Sequence, residues 1–294
     1  VNTKHLGVVT ILLASIIWAI EPIFAKLSYE NSDFLHTSAI RAIVAALTAF
    51  LYIVLTRKSP LKVTRQQLSP LIYIAIVGTL VADFMYFFAL SQVPVINAVI
   101  LGHMQPIFII ALGFFLLKSD TLTKFDYLGI ALMIVSGLLV TTRTIENLFA
   151  FRFGTIGDLI VLSATIAWAT SAIVMKKYLT AMNAGVITFY RFFFAALIFA
   201  LYLGVTSSFI ITNIYQVLIG VIIGIGTILY YEGLKRLKAA QVSGLELSTP
   251  FFAAILAFLV LNEFITSMQI VGITLLFVGV YFISKKEKGP GDAV

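Results

Sequence analysis

"RAIVAALTAFLY" (41–52) returns 150 residues later as "RFFFAALIFALY" (191–202). In both, an arginine heads eleven residues that carry no charge. The echo extends well beyond these two segments. At the same offset "ASIIWA" (14–19) falls on "ATIAWA" (164–169), Trp18 on Trp168 and Lys26 on Lys176. Ala45, Ala46 and Leu47 fall on Ala195, Ala196 and Leu197, and Leu51-Tyr52 on Leu201-Tyr202. Farther along the offset becomes 144, setting Tyr86 on Tyr230 and Pro106 on Pro250. The chain therefore reads as a duplication, with halves at 1–145 and 153–286 and a flexible tail at 287–294.

Composition assigns the solvent. Hydrophobic residues make up 61% of the 294 and charged residues 11%, against about 25% charged in a water-soluble domain. No soluble fold of this size covers that much apolar surface. The apolar runs are continuous rather than alternating and many approach 20 residues. That length of helix crosses the hydrocarbon core. Because the bilayer leaves only helices and closed barrels, the expected class is an all-α polytopic membrane protein. With no cysteine, disulfides and thiolate metal sites are excluded. The first apolar run is too long for a cleavable signal peptide and lacks a small-residue cleavage site.

The expected spans are ten: 5–28, 33–56, 67–90, 93–117, 125–142, 155–179, 183–205, 213–236, 240–262 and 266–284. Polar or turn-forming stretches such as "ENSD", "SQVP" and "NEFITS" separate them. Lysine and arginine divide unevenly between the two sides. Lys4, Arg57, Lys58, Lys62, Arg65, Lys118, Lys124, Lys176, Lys177, Lys235, Arg236, Lys238, Lys285, Lys286 and Lys288 share one side, fifteen in all. Lys26, Arg143 and Arg152 make three on the other, and Arg41 and Arg191 lie within spans. Basic loops stay cytoplasmic, so both termini are expected inside. The net charge of +7 is thus an orientation signal and not a nucleic-acid footprint. Five helices per half is an odd number, so the second half enters from the opposite face. Such inverted repeats place a shared site between two halves that can exchange shapes.

Ten spans in two inverted halves, Trp18 and Trp168 in their small-residue contexts, and arginines early in the second and seventh spans resemble the EamA family of the drug/metabolite transporter superfamily. The stretch "LSTPFFAAILAFLVLNEFITSMQIVGITLLFVGVYFI" (247–283) carries its clearest mark, with Pro250, Glu263, Gly272 and Gly279. The first half departs from it, with Ser119 in the place of Glu263 and Asp120 beside it. The resemblance implies transport by alternating access, with amino acids, drugs, sugars or other metabolites as cargo.

Ionisable groups inside a bilayer cost at least a few kcal/mol and are functional candidates by default. Glu21, Arg41 and Asp83 lie roughly 10–12 Å below the outer helix ends. Arg191, Glu246 and Glu232 lie roughly 12, 9 and 6 Å in from the inner ends. This grouping suggests two gates: Arg41 with Glu21 or Asp83 outside, Arg191 with Glu232 or Glu246 inside. The other reading makes the arginines static staples bonding carbonyls or snorkelling, and Glu232 and Lys235 interfacial. Glu21, Asp83 and Glu246 are the candidate proton carriers, because a carboxylate binds protons differently when dry and when wet.

His103 in "ILGHMQP" reads as a proton acceptor, a substrate ligand or a satisfied core histidine. It has no ligand partner at i±4 and makes no metal site alone. Gln105 and Asn97 share its helix, and Ser243, Glu246, Ser248 and Thr249 precede or flank Pro250. Pro106 and Pro250 each remove a backbone bond, freeing the carbonyls of Gly102 and Glu246 to bend the helix or face a cavity. Trp18 and Trp168 fall mid-span, with Tyr86, Tyr190, Tyr230 and Tyr231 adding rings with polar tips. They read as cavity walls for apolar, aromatic or cationic solutes, or as packing. Gly220-x-x-x-Gly224 reads as a close helix contact.

The leading reading is a secondary transporter exporting small metabolites such as amino acids, with proton coupling as one mode. A lipid or lipid-linked molecule translocase, or a drug exporter, is the alternative on the same fold. No catalytic pair, metal cluster or phosphate loop is present in the sequence, so neither an enzyme nor a bound cofactor is expected. The expected partners are a small-molecule substrate and membrane lipid. Monomer and homodimer are not distinguished.

Overall fold

The computed structural model describes residues 3–56, 61–117, 124–151, 154–206, 210–237, 242, 245–246 and 248–284. The readings made on Arg57, Lys58, Lys118, Ser119, Asp120, Arg152, Lys238, Ser243, Lys285, Lys286, Lys288 and the tail lie outside the described residues, as does the side chain of Lys4.

Every regular element among the described residues is helical. Helix α1 is Thr3–Ser28, α2 is Phe34–Thr56 and α3 is Arg65–Leu90. The next stretch holds α4 (Val95–Gly102) and α5 (Gln105–Leu117), followed by α6 (Lys124–Thr142) and a short α7 (Ile145–Phe149). The second half holds α8 (Ile156–Tyr178), α9 (Ala184–Val205), α10 (Ile214–Arg236), α11 (Ser248–Leu261) and α12 (Ser267–Ser284). Six of these, α1, α2, α3, α8, α9 and α10, are long and apolar enough to cross a bilayer; the other apolar helices are shorter.

Polar residues at the loop edges set where the helices begin. Thr64 and Gln67 form a reciprocal capping box ahead of α3, and Thr155 and Asp158 do the same ahead of α8. Asn183 caps α9 and Asn213 caps α10 through their side-chain oxygens. The stretch 93–117, expected as one helix, breaks at His103-Met104. Pro106 has no N–H to offer Gly102, and the chain turns through tighter bonds, Met104 N to Leu101 O at 3.1 Å and Ile107 N to Met104 O at 3.0 Å. Pro250 is the third residue of α11, and Leu245 and Glu246 ahead of it are helical too, so its missing N–H falls four residues after the Glu246 carbonyl. Helix α7 was not expected; Thr144 caps it by accepting from Asn147 N.

Packing follows the duplication. Helix α1 lies against α10 and α11, while α8 lies against α3, α4 and α5. Helices α2 and α9 pack on each other, α2 also on α10 and α9 also on α3. Helices α6 and α12 pair at the far side, and α4 meets α11. Each half's first helix is thus clasped by the third and fourth helical segments of the other half. Gly220 brings α10 onto α2: a Cβ there would sit 2.5 Å from Val44 Cβ and 3.0 Å from the Arg41 carbonyl. Gly224 repeats the approach one turn on, against Thr48. Exposed apolar side chains such as Leu55, Leu201 and Val205 cover the outside, as lipid contact requires.

Candidate functional site

The duplicated arginines meet at one carboxylate. Arg41, from α2, donates through Nε to Glu21 Oε1 of α1 at 2.8 Å and through Nη1 to Asp83 Oδ2 of α3 at 3.0 Å. Arg191, from α9, donates through Nη2 to Asp83 Oδ1 at 3.1 Å and to the Gly78 carbonyl at 3.3 Å. Its Nε donates to Thr79 Oγ1 at 3.0 Å and its Nη1 to Tyr231 Oη at 3.2 Å. Trp168 Nε1 donates to Asp83 Oδ1 at 2.7 Å. Glu21, Arg41, Thr79, Asp83 and Tyr231 are buried, Arg41 and Asp83 at 3% exposed each, and Arg191 and Trp168 are partly buried. The Phe192 ring takes Arg41 Cζ at 5.6 Å and Arg191 Cζ at 5.4 Å from its centroid, and Phe87 takes Arg41 at 4.6 Å. Cation–π attraction therefore adds to the ion pairs.

Helix α3 makes this geometry available by widening. Ile74–Asp83 is π-helical, and such stretches relax the regular backbone bonding and recur at functional sites. Here the Gly78 carbonyl accepts from both Trp168 and Arg191.

The grouping of Arg191 with Glu232 or Glu246 belongs to an inward-closed state; in this arrangement Arg191 has other partners. Arg191 bonds Asp83, and Glu232 pairs instead with Lys235 at 3.7 Å and with Arg236, its neighbours on α10. The expected two levels merge for a geometric reason. Two groups each about 12 Å deep from opposite ends of a core about 30 Å thick are only about 6 Å apart along its normal. Long side chains close that gap.

Against this network lies an open-mouthed cavity of roughly 150 Å³. Both halves wall it. The expected wall residues Trp18, Tyr86, His103, Gln105, Trp168, Tyr230, Glu246 and Thr249 all line it, as do Pro106 and the four charged members of the network. Glu232 and Pro250 do not line it, and Asn97 and Tyr190 are spent elsewhere. Asn97 bonds Asp158 and Gln269, and Tyr190 donates to the Leu61 carbonyl. The rings pair crosswise between halves, Trp18 with Tyr230 at 4.9 Å and Trp168 with Tyr86 at 5.1 Å. His103 Nδ1 lies 2.7 Å from the Val99 carbonyl. A carbonyl only accepts, so the hydrogen sits on Nδ1. Four polar atoms on the wall are buried without partners: Trp18 Nε1, Ser171 Oγ, Thr227 Oγ1 and Thr249 Oγ1. Glu246 has no hydrogen-bond or ion-pair partner among the described residues. A smaller adjoining hollow shares Gln105, Pro106, Tyr230 and Glu246 and continues to Lys176, Leu234 and Val242. It leads to the end of the bundle that carries Lys177, Lys235 and Arg236.

The profile of the EamA-like transporter family matches residues 5–142 and again 155–285. The chain belongs to the EamA-like transporter family. Three relatives are each named an uncharacterized transporter. One, from Synechocystis, is 29% identical over 234 residues, 74% of this chain and 66% of its own length. One from Methanothermobacter thermautotrophicus is 24% identical over 94% of this chain and 85% of its own. One from Clostridium kluyveri is 25% identical over 97% and 95%. A crystal structure superposes with a TM-score of 0.66 at 16% identity, covering 96% of both chains, which shows a shared fold. The protein is accordingly a multi-pass membrane protein of two EamA repeats, in a family of transporters.

The EamA mark in the second half has structural explanations. Glu263, just past α11, accepts from Val95 N at 3.1 Å and from Ile96 N at 3.5 Å, capping α4 behind Pro94. Gly272 and Gly279 let α12 touch α6, where Cβ atoms would fall 2.7 Å from Val140 and Met133. Ser136 Oγ donates to the Gly272 carbonyl at 2.6 Å in the same seam.

Thr79, Phe87, Ser171, Phe192 and Thr227 escaped the sequence reading, which sought charges and prolines. The repeat itself held a signal for two of them. At the same offsets Glu21 corresponds to Ser171 and Asp83 to Thr227. The second half therefore has the arginine without its acids, and Arg191 reaches across to the first half's Asp83.

Proposed function

We propose that this chain is a secondary transporter that moves small metabolites, amino acids first among them, out across the cytoplasmic membrane by alternating access. In this reading ten spans form two inverted five-helix repeats, with both termini in the cytoplasm. The observation that carries it is the cavity between the halves, closed on one side by a lock that spans them. Asp83 of the first half holds Arg41 of its own half and Arg191 of the other. The adjoining hollow leads toward the lysine-rich end, which the charge asymmetry assigns to the cytoplasm. The state is then inward-facing, with the Arg41–Glu21–Asp83–Arg191 network as the closed outer gate.

The repeat supplies the opposite state. When the halves exchange shapes, Arg191 leaves Asp83 and turns to Ser171 and Thr227, the second-half counterparts of Glu21 and Asp83. Both hydroxyls are unpartnered here. That second lock is weaker, because it lacks carboxylates. Protonation of Asp83 or Glu21 releases the first lock, which gives the proton gradient a point of action.

The test is uptake into liposomes holding the purified chain, with a panel of amino acids and other metabolites, with and without a pH gradient. Saturable uptake of a panel member that the gradient accelerates is the expected result. Saturable uptake indifferent to the gradient removes proton coupling. Absence of saturable uptake across the panel removes the metabolite reading.

A further inference from the structure

We propose that Glu246 is the ligand for a substrate ammonium group, so that the cargo class is small amphipathic amines: a positive nitrogen on an apolar or aromatic body. This rests on the carrier reading above and narrows its cargo.

Charge balance is the first argument. Besides His103, five acidic or basic side chains line the cavity: Glu21, Arg41, Asp83, Arg191 and Glu246. Two arginines and two acids neutralise one another through direct ion pairs. Glu246 is left over, without an ion pair among the described residues; Lys176, on the wall of the adjoining hollow, is not within ion-pair distance of it. A lone carboxylate in a low-dielectric cavity is costly, and a cation brought in by the ligand offsets that cost.

The walls fit the rest of such a molecule. Two ring pairs, Trp18 with Tyr230 and Trp168 with Tyr86, offer π faces that attract a cation and stack an apolar body. Ser171, Thr227 and Thr249 are 6%, 1% and 1% exposed, and their hydroxyls have no partner. Buried polar groups are normally satisfied, so these stand ready for polar atoms of a ligand.

The repeat separates this residue from the gates. At the 144-residue offset Glu246 corresponds to Gly102, so its carboxylate exists on one side only. It also takes no part in the arginine network. A group that neither recurs in the other half nor pairs across the halves has no place in an exchangeable lock, and recognition of cargo is the role proposed for it.

The chain carries its own reporter: Trp18 and Trp168 are its two tryptophans, and both line the cavity. The purified full chain in detergent is titrated with 2-phenylethylamine and with 2-phenylethanol, which keeps the shape and loses the charge. The expected result is saturable quenching by the amine, with affinity about tenfold or more above the alcohol, as for hydrogen bonds to charged groups. Glu246→Gln brings the two ligands to within about twofold, on the same reasoning. Equal binding of amine and alcohol by the unmodified chain overturns the proposal, as does a preference that survives Glu246→Gln. Should that variant not fold, the comparison on the unmodified chain decides alone. Amine binding without liposome flux would reject the carrier and keep the site; flux without amine preference would reject only the site.

Discussion

Replacing Asp83 with asparagine puts the shared carboxylate under direct strain. Asp83 accepts from three donors: Arg41 at 3.0 Å on Oδ2, and Arg191 at 3.1 Å and Trp168 at 2.7 Å on Oδ1. An asparagine amide has one oxygen. If it faces Trp168 and Arg191, its NH2 meets the Arg41 donor; if flipped, the NH2 meets the other two. Either way a donor faces a donor, and two buried arginines share one remaining acid, Glu21. Breaking a buried charge pair in this way costs about 3–5 kcal/mol. At about 2 °C per kcal/mol, the low end for large domains, Tm falls by about 6–10 °C. Arg191→Gln alone leaves a surplus negative charge, whereas Asp83→Asn with Arg191→Gln leaves the neutral Arg41–Glu21 pair. The double variant should therefore be more stable than the sum of the single losses by about 1–3 kcal/mol. Thermal unfolding of the four proteins in detergent, followed by tryptophan emission, measures this cycle. An Asp83→Asn variant within about 1 °C of the parent, or losses that simply add, would refute the idea that one carboxylate neutralises both halves.

Two further outcomes follow from the same contacts. Trp168→Phe removes the donor to Asp83 and should cost about 1.5–3 kcal/mol in excess of Trp18→Phe, whose indole N–H has no partner to lose; equal melting shifts for the two variants would contradict the asymmetry between the halves. Glu263→Ala uncaps α4 at Val95 and Ile96 and should lower stability by about 1 kcal/mol, read as the thermal midpoint; an unchanged midpoint would make that contact incidental.

Much of the architecture was legible from local rules. Hydropathy and the length of the runs mark the helices, and polar residues such as Thr64, Thr155, Asn183 and Asn213 mark where several begin. Pro106 marks the break between α4 and α5, although the sequence alone did not say whether the helix would bend or stop. The wall residues Trp18, Tyr86, His103, Trp168 and Glu246 stood out because polar or large amphipathic groups at mid-span are unusual in lipid.

The partners were another matter. Depth along a helix is a one-dimensional quantity, fixed by residue count, and it sorted Arg41 and Arg191 into opposite clusters. Ion pairing depends on which helices touch and on which faces they present. Helix α3 lies against both α8 and α9, and its π-helical segment aims Asp83 at arginines from two halves. The sequence by itself determined that the chain is duplicated, helical, suited to a bilayer and equipped with buried charges. Only the tertiary structure decided that Arg41, Arg191, Glu21 and Asp83 form one network rather than two, and that Glu246 has no counter-charge among the described residues. The physical reason is that periodicity and burial are properties of a helix, whereas charge compensation is a property of neighbours brought together from distant parts of the chain.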